Sequence, residues 1–239
     1  MRNVLMATML LSPVTLAGPV LAADTCPKNL KPTAYQATYH VKRANGETHQ
    51  LVLTRLGNTI RYQNSDNIFE QWTQQGEFSR FFVKEQRSVT YTVGDLRSLH
   101  RVPNIEQKFH LIAPASLEQL QQQSASAHPC FELTQYNSTQ THQLAVTWME
   151  ALQLPHTFSY QSGQQQVQFS LQQISSISAE AFNAKVSKFS DIDFADIGDS
   201  ESDPFIAKMI NQGFIEHGSS GFYHSDGHSM GGSGHSHSH

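Results

Sequence analysis

The stretch AYQATYHVKRANGETHQLVLTRL, residues 34–56, decides the fold class of this chain. Apolar or aromatic side chains alternate with polar ones along its first part, so that one face carries Tyr35, Ala37, Tyr39 and Val41. This period of two is typical of a strand with one buried face. Asn45-Gly46 follows, which is the strongest short signal for a hairpin, and THQLVLTRL then returns along the first strand. The stretch therefore predicts an antiparallel β-hairpin.

The same alternation continues on both sides of a short helical region. Strands are predicted up to about residue 95, and again in CFELTQY, HQLAVTWME, HTFSYQSG and QQVQFSLQQI. Between them, NIEQKFHLI (residues 104–112) has helical spacing, and SLEQLQQQ (residues 116–123) opens on a capping box. We therefore expect a mainly β (α+β) fold, a curled antiparallel half-barrel of about ten strands with two or three short helices and a flexible C-terminal tail.

Three parts of the chain resemble the periplasmic carriers of the lipoprotein-localisation (LolA/LolB-like) family. They are YQATYHVKRANG, IFEQWTQQGEFSRFFV and VTWMEALQLPHTFSYQSGQQQVQFSLQQI, within residues 34–177. The resemblance implies a half-open antiparallel barrel with helices in its mouth. It also implies a concave apolar cavity that holds an acyl chain or an apolar segment of a partner. No functional residue carries over from the family to this sequence.

Two groups of side chains on the predicted strands have opposite expected environments. Eight aromatic residues alternate as core positions do, and packing is expected of Tyr35, Tyr39, Phe69, Trp72, Phe81, Trp148, Phe158 and Phe169. Arg55, Arg61 and Arg80 lie in or beside strands, where we expect them on a solvated face of the sheet. The alternative is a cavity rim at which these arginines bind an anionic head group.

The N-terminus has the features of a secretory signal peptide. MRNVLMATMLLSPVTLAGPVLAA, residues 1–23, has Arg2, an apolar run broken by Ser, Pro and Gly, and small residues before a cleavage point near Ala22 or Ala23. A membrane anchor is the alternative. No later run approaches the apolar length of a membrane helix. We expect a periplasmic or secreted protein without a transmembrane segment after cleavage.

The two cysteines, Cys26 and Cys130, both follow the predicted cleavage point. In an oxidising compartment a lone pair of cysteines usually forms one disulfide, which would join the mature N-terminus to the middle of the chain. Two free thiols are the alternative, although the sequence has no Cys-x-x-Cys spacing.

Charge divides the mature chain into distinct regions. Residues 24–188, the expected half-barrel domain, carry 14 Lys and Arg against 12 Asp and Glu, whereas residues 189–239 carry one Lys against eight acidic residues. There is no basic cluster, which argues against a nucleic-acid partner. We divide the acidic end into residues 189–216, with a short docking helix, and a His/Gly/Ser-rich tail at residues 217–239.

The acidic segment combines carboxylates with apolar residues. Its candidate cation-binding residues are Asp191, Asp193, Asp196, Asp199, Glu201 and Asp203. The spacing does not fit an EF-hand, because the Gly stands at position eight of the loop rather than six. An irregular calcium site remains an alternative. Asp203-Pro204 predicts the start of an amphipathic helix with Phe205, Met209 and Ile210 on one face, and Gly213 predicts its end.

The tail is rich in histidine, and imidazole is the commonest side-chain ligand of transition metals. The candidate ligands for copper, zinc or nickel are His217, His224, Asp226, His228, His235, His237 and His239. With the cysteines paired, ligation would use nitrogen and oxygen, for which copper(II) leads the affinity order. A solvated tail without a metal is the alternative.

No hydrolase, nucleotide-binding or dinucleotide motif is present in the sequence. We therefore expect an exported, non-enzymatic binding protein, a carrier or chaperone whose His-rich region binds a transition metal for buffering or for delivery to a periplasmic metalloprotein. The first alternative is an envelope carrier of lipid or lipoprotein, which binds an apolar ligand in the half-barrel. The second is a metal-dependent hydrolase with His217, His224 and His228 as ligands.

Overall fold

The computed structural model describes residues 26–138, 144–162, 165–200 and 202–215. Its strands are β1 (Ala34–Arg43), β2 (Thr48–Leu56), β3 (Thr59–Gln63), β4 (Ile68–Thr73), β5 (Phe78–Phe82), β6 (Arg87–Tyr91), β7 (Gln121–Ala127), β8 (Glu132–Asn137), β9 (Ala145–Met149), β10 (Leu154–Ser162), β11 (Gln165–Ser176) and β12 (Ser190–Asp193). They form one open sheet in the order β12-β6-β5-β4-β3-β2-β1-β11-β10-β9-β8-β7. Neighbouring strands are antiparallel, except that β12 joins β6 in parallel. The predicted mainly β half-barrel is confirmed.

Five short helices accompany the sheet in the described residues: α1 (Val93–Ser98), α2 (Ile105–His110), α3 (Pro114–Leu117), α4 (Ala179–Ala184) and α5 (Pro204–Asn211). Side chains cap four of them, because Thr92, Asn104, Ser178 and Asp203 each accept a hydrogen bond from a backbone N–H in the first turn. The helix predicted at residues 104–112 and the docking helix that starts at Asp203-Pro204 are therefore confirmed.

The helix predicted at residues 116–123 is wrong. Only α3 is helical there, and the Gln-rich part of that stretch begins β7, which pairs with β8 at the edge of the sheet. Gln121, Gln122 and Gln123 are exposed and offer no apolar face that a helix could bury. Backbone pairing with β8 therefore decides the conformation. With β7 included, the sheet has more strands than the ten or so predicted.

The inner face of the sheet is the one that carries the alternating residues of β1. Tyr35, Ala37, Tyr39 and Val41 are at most 1% exposed, as their period of two predicts. The same face continues through β2–β6, where it meets apolar side chains of α1, α2 and α5 in one core cluster. The outer face carries Phe69 and Phe81, whose rings stack at 4.5 Å and meet Phe189 edge-on.

The expected solvated environment of the three arginines is wrong, because Arg55, Arg61 and Arg80 are 6%, 4% and 1% exposed. On the outer face, the Arg61 guanidinium lies 3.6 Å from the centre of the Phe182 ring and donates to the Phe182 carbonyl oxygen at 2.5 Å. Burial lowers the pKa of Arg61 to about 10. On the inner face, the Arg55 guanidinium lies 5.0 Å from the centre of the Phe109 ring of α2. These arginines are buried because helices from distant parts of the chain cover both faces.

Arg80 lies on the inner face of β5, where it pairs with a carboxylate of the neighbouring strand β4. Its Nη2 donates to Glu70 Oε1 at 2.7 Å, and its Nη1 donates to the Phe214 carbonyl oxygen at 3.2 Å. The residues after α5 therefore close over this pair, and Ile215 is 1% exposed. Arg87 adds an ion pair to Asp203 at 3.0 Å. Charged contacts thus accompany the apolar contacts that hold α5 on the sheet.

The predicted disulfide is confirmed. Cys26 and Cys130 are joined, which ties the start of the described chain to the connection between β7 and β8. Within the described ranges, no helix combines the length and the apolar character that crossing a membrane requires. The predicted signal peptide, residues 1–23, lies outside the described residues.

Candidate functional site

The inner face falls into two parts that are covered to different extents. In the part that we call the filled half, β2–β6 lie against α1, α2 and α5, and Leu53, Ile60 and Phe78 are at most 1% exposed. In the part that we call the open half, β8–β11 lie against α3, which has four residues. A separate small core belongs to the open half: Ile112, Leu117, Val146, Trp148 and Phe158.

A groove in the open half has an aromatic floor. Phe158 of β10 lies directly opposite Phe169 of β11, and the two rings stack at 4.2 Å with an angle of 10° between their planes. Tyr160, two residues further along β10, extends the row with its ring centre 6.4 Å from that of Phe169. Phe158 is buried, Phe169 is half-buried and Tyr160 is 38% exposed. The row therefore runs from the core to solvent.

The wall of the groove is the connection between α2 and α3. Leu111 has φ 63° and ψ −37°, a positive-φ conformation outside the helical region, which ends α2. Ile112 and Ala113 follow, and Pro114 starts α3. Wall and floor enclose about 400 Å³, which is within the range of small-molecule sites. The lining residues are Asn104, Gln107, Leu111, Ile112, Ala113, Ser116, Leu144, Phe158, Tyr160 and Phe169.

Two hydrogen bonds fix the helix that carries this wall. The Tyr62 hydroxyl of the filled half donates to the Lys108 carbonyl oxygen. On the other side, His110 Nδ1 donates to the Gln153 carbonyl oxygen, in the turn between β9 and β10, at 2.8 Å. Burial lowers the pKa of His110, against the effect of this hydrogen bond. The α2 helix is therefore attached to both halves of the sheet.

The groove is uncharged. None of its lining residues is Asp, Glu, Lys, Arg or His, and its polar groups are the amides of Asn104 and Gln107 and the hydroxyls of Ser116 and Tyr160. The Asn104 side chain is already engaged, because it accepts from the backbone N–H of Gln107. Such a lining recognises an apolar chain by the area that it buries and provides no counter-ion for a charged group.

The predicted acidic residues do not gather into one cluster. Asp191 accepts from the hydroxyls of Ser88 and Thr90 at 2.5 and 3.0 Å, and Asp203 caps α5 and pairs with Arg87. The backbone hydrogen bond from Phe205 is the main cause that lowers the pKa of Asp203. Asp193, Asp196 and Asp199 are exposed, and Glu201 lies outside the described residues. In the described part of the chain, no group of three or more His, Cys, Asp or Glu side chains is placed to hold a metal ion.

The predicted transition-metal ligands lie outside the described residues, which end at Ile215. They are His217, His224, Asp226, His228, His235, His237 and His239. Metal binding by this tail therefore stays a prediction.

The alternation predicted packing for Phe158 and Phe169, and Tyr160 was not among the predicted core or site residues. A signal was present, since Phe158 and Tyr160 fall on one face of HTFSYQSG and Val167 and Phe169 on one face of QQVQFSLQQI. The pattern shows that such a face is apolar. It does not show whether another element covers it.

No protein-family model matches this chain, and no curated protein matches it. Among solved structures, PNGF-II is similar at 7% identity and a TM-score of 0.42, over 67% of this chain and 31% of its own, so the chain spans about a third of that protein's length. The MucA/MucB complex of Pseudomonas aeruginosa gives 13% identity and a TM-score of 0.40, over 64% of this chain and 54% of the matched chain. A putative outer membrane lipoprotein-sorting protein domain from Vibrio parahaemolyticus gives 9% identity and a TM-score of 0.27, over 65% of this chain and 91% of its own. At these identities and TM-scores, the likeness assigns no activity to this chain.

Proposed function

We propose that the protein is an exported envelope carrier that binds one apolar chain, such as an acyl chain, in the aromatic groove. The observation that carries the proposal is the stacked pair Phe158 and Phe169, which leads to the exposed ring of Tyr160 inside a groove of about 400 Å³. An apolar surface left open within a concave site is typical of a ligand-binding groove.

The uncharged lining indicates how the ligand is held. Burial of apolar area contributes about 25 cal/mol for each Å² removed from water, and it requires no fixed partner for a head group. The chain of the ligand therefore provides the affinity, while a polar head group can stay outside the groove. A site of this kind accepts several lipids that share an apolar chain, which suits a carrier.

The two tryptophans of the chain allow a direct test, since one lies in each half. Trp148 belongs to the small core that also contains Ile112 and Phe158, two residues of the groove lining. Trp72 packs against Phe78 in the filled half. Its Nε1 is buried without a hydrogen-bond partner among the described residues, so Phe is a suitable replacement there.

The experiment is quenching of tryptophan fluorescence by a fatty acid brominated on its chain. In Trp72→Phe the remaining fluorophore is Trp148, and we expect saturable quenching. In the matched variant Trp148→Phe the remaining fluorophore is Trp72, and we expect much weaker quenching at the same ligand concentration. Equal quenching in the two variants, or no saturable quenching in either, would contradict a binding site in the groove.

Export is part of the proposal. The predicted signal peptide supports it, and so does the Cys26–Cys130 disulfide, because disulfides persist in oxidising compartments. Intact-mass measurement of protein from the periplasmic fraction should give a chain that starts near Ala23 or Asp24 and contains one disulfide. A cytosolic chain that keeps residues 1–23 would contradict this part.

The histidine content of the tail favours a second function, the binding of copper, zinc or nickel, because six of the 13 histidines lie at residues 217–239. Calorimetric titration with each metal ion would compare the mature chain with a chain that ends at Glu216. Saturable binding that is lost with the tail supports metal buffering or delivery to a metalloprotein. Unchanged stoichiometry in the shorter chain contradicts it.

A further inference from the structure

Leu111 is the one apolar side chain, among the described residues, that is attached to a backbone with positive φ. The other non-glycine residues with positive φ are Asn29, Gln86, His100 and Gln153, which are all polar. At φ 63° and ψ −37°, Leu111 also lies outside the left-handed helical region. A bulky residue keeps such a backbone only where its surroundings enforce it. The position of the Leu111 side chain is therefore imposed by the fold.

Contacts on both sides of Leu111 enforce this conformation. Before it, Phe109 is 2% exposed in the main core, which is the cluster that contains the apolar side chains of α1, α2 and α5. After it, Ile112 belongs to the small core of the open half. The hydrogen bond from His110 Nδ1 to the Gln153 carbonyl oxygen holds the chain between these two anchors. Leu111 therefore lies where the chain passes from one core to the other.

The Leu111 side chain lies at the boundary between the groove and the main core. It lines the groove, and it packs against both the small core and the main core. Among the described lining residues, only Phe169 of the floor shares this double contact. Tyr160 packs against neither core and is 38% exposed. The groove therefore has a solvent end at Tyr160 and an end that abuts the main core at Leu111.

We infer that Leu111 sets the length of the apolar chain that the groove accepts. A chain that enters at the solvent end runs along the aromatic floor and stops where its terminal methyl group meets Leu111. Each methylene that fits raises the affinity about fourfold, because it is removed from water. Further methylenes find no space in the close-packed core behind Leu111 and stay in water. The inference rests on the proposed function, since it specifies the ligand of the same groove.

The strained backbone and the chain stop are linked. Glycine would adopt this backbone conformation without strain, but it has no side chain that could close the end of the groove. Leucine closes that end at a cost in conformational free energy. The burial of Phe109 in one core and of Ile112 in the other offsets this cost. Leu111 is thus a residue that determines specificity for chain length.

The test measures affinity for straight-chain fatty acids, from octanoate to hexadecanoate, by their displacement of the brominated fatty acid from the Trp72→Phe protein. All members share one head group, so that only the chain length varies. With Leu111 in place, affinity should rise about fourfold for each methylene and then level off at one length within the series. Adding Leu111→Ala should move this limit to a longer chain, because the substitution frees the space of a few methylene groups at the closed end.

Two further variants serve as control and as reserve. Leu144→Ala is the matched control, since Leu144 lines the groove but packs against the small core alone. It should weaken binding of all chain lengths alike and leave the limit unchanged. Leu111→Gly keeps the test valid if Leu111→Ala folds poorly, because glycine relieves the positive φ. It should show the shifted limit and a higher urea midpoint than Leu111→Ala.

The outcomes distinguish this inference from the proposed function. If the fatty acids bind but the limit is absent, is unchanged in both Leu111 variants, or moves equally in Leu144→Ala, then Leu111 is not the stop and the groove stands. A lower urea midpoint for Leu111→Gly than for Leu111→Ala would overturn the link between the stop and backbone strain. If no fatty acid binds while Leu111 is in place, the proposed function fails and the inference falls with it.

Discussion

The filled and open halves share one sheet and one apolar inner face, and they differ in what lies on that face. In the filled half, α2, α5 and Ile215 complete a core in which Phe78 and Phe82 are each 1% exposed. In the open half, α3 leaves Phe169 half-buried and Tyr160 exposed. Since the strands of both halves alternate in the same way, function is decided by the covering elements rather than by the strands.

The filled half also contains a buried ion pair, whereas the lining of the groove in the open half has no charged residue. Arg80 and Glu70 are paired beneath the C-terminal segment, and Arg80 Nη1 also donates to the Phe214 carbonyl oxygen. A buried ion pair seldom adds net stability over apolar residues of similar volume, because both charges lose their hydration. Our hypothesis is that this pair fixes where the C-terminal segment docks. A stable filled half then supports an open half that keeps an apolar surface in solvent.

The largest expected effect comes from removing one member of that pair. Arg80→Ala leaves the Glu70 carboxylate in the core without its partner, and we expect it to lower the free energy of unfolding by about 3–5 kcal/mol. Urea unfolding measures the change. Arg97→Ala, at an exposed arginine of α1, is the control and should stay within about 0.5 kcal/mol. A loss below 1 kcal/mol in Arg80→Ala would mean that water reaches Glu70 in the folded protein.

The next effect concerns the link that ties the chain start to the open half. Replacing Cys26 and Cys130 with Ser should lower stability by about 2–4 kcal/mol, because the unfolded chain regains the freedom of a loop with a sequence separation of 104. We expect hydrogen exchange to accelerate in β7 and β8 more than in β3–β5. Equal acceleration in both regions would show that the two halves unfold as one unit. It would contradict the idea that the open half is separately stabilised by the disulfide.

The sequence was sufficient for features that depend on neighbours along the chain. The buried face of β1 follows from the pleat, and the start of α5 follows from Asp203 and Pro204. It was insufficient for the arginines, since Arg61 meets Phe182 121 residues later and Arg80 meets Phe214 134 residues later. The sequence did not predict the groove for the same reason. Phe158 and Tyr160 share one alternation, which does not show that Phe158 is buried against Ile112 and Leu117 while Tyr160 is 38% exposed.

A smaller effect on stability is expected at the groove, together with a clear effect on binding. Tyr160→Ser removes a ring that is already 38% exposed, so the free energy of unfolding should change by less than about 1 kcal/mol. Affinity for a dodecyl chain should fall about tenfold, because aromatic anchors carry much of the binding energy in such sites. Val102→Ser is the matched control, since Val102 is 58% exposed outside the groove lining. Equal affinity in the two variants would place the binding site elsewhere.

The smallest effect concerns the hydrogen bond between α2 and the open half. Burial holds the pKa of His110 below its ordinary value of 6.5, so the unfolded chain takes up a proton before the folded chain does. Stability should therefore fall as the pH drops from 7 towards 5, with His156 contributing in the same direction because burial and His128 lower its pKa as well.

His110→Asn separates these contributions, because the amide can still donate to the Gln153 carbonyl oxygen but does not titrate. We expect urea midpoints of this variant to depend less on pH over that range than those of the wild type. The His156→Asn variant measures the contribution of His156 to the same pH dependence. An unchanged slope in His110→Asn would show that His110 is already hydrated in the folded protein. The wall of the groove would then be attached to the filled half more firmly than to the open half, whose turn supplies the acceptor.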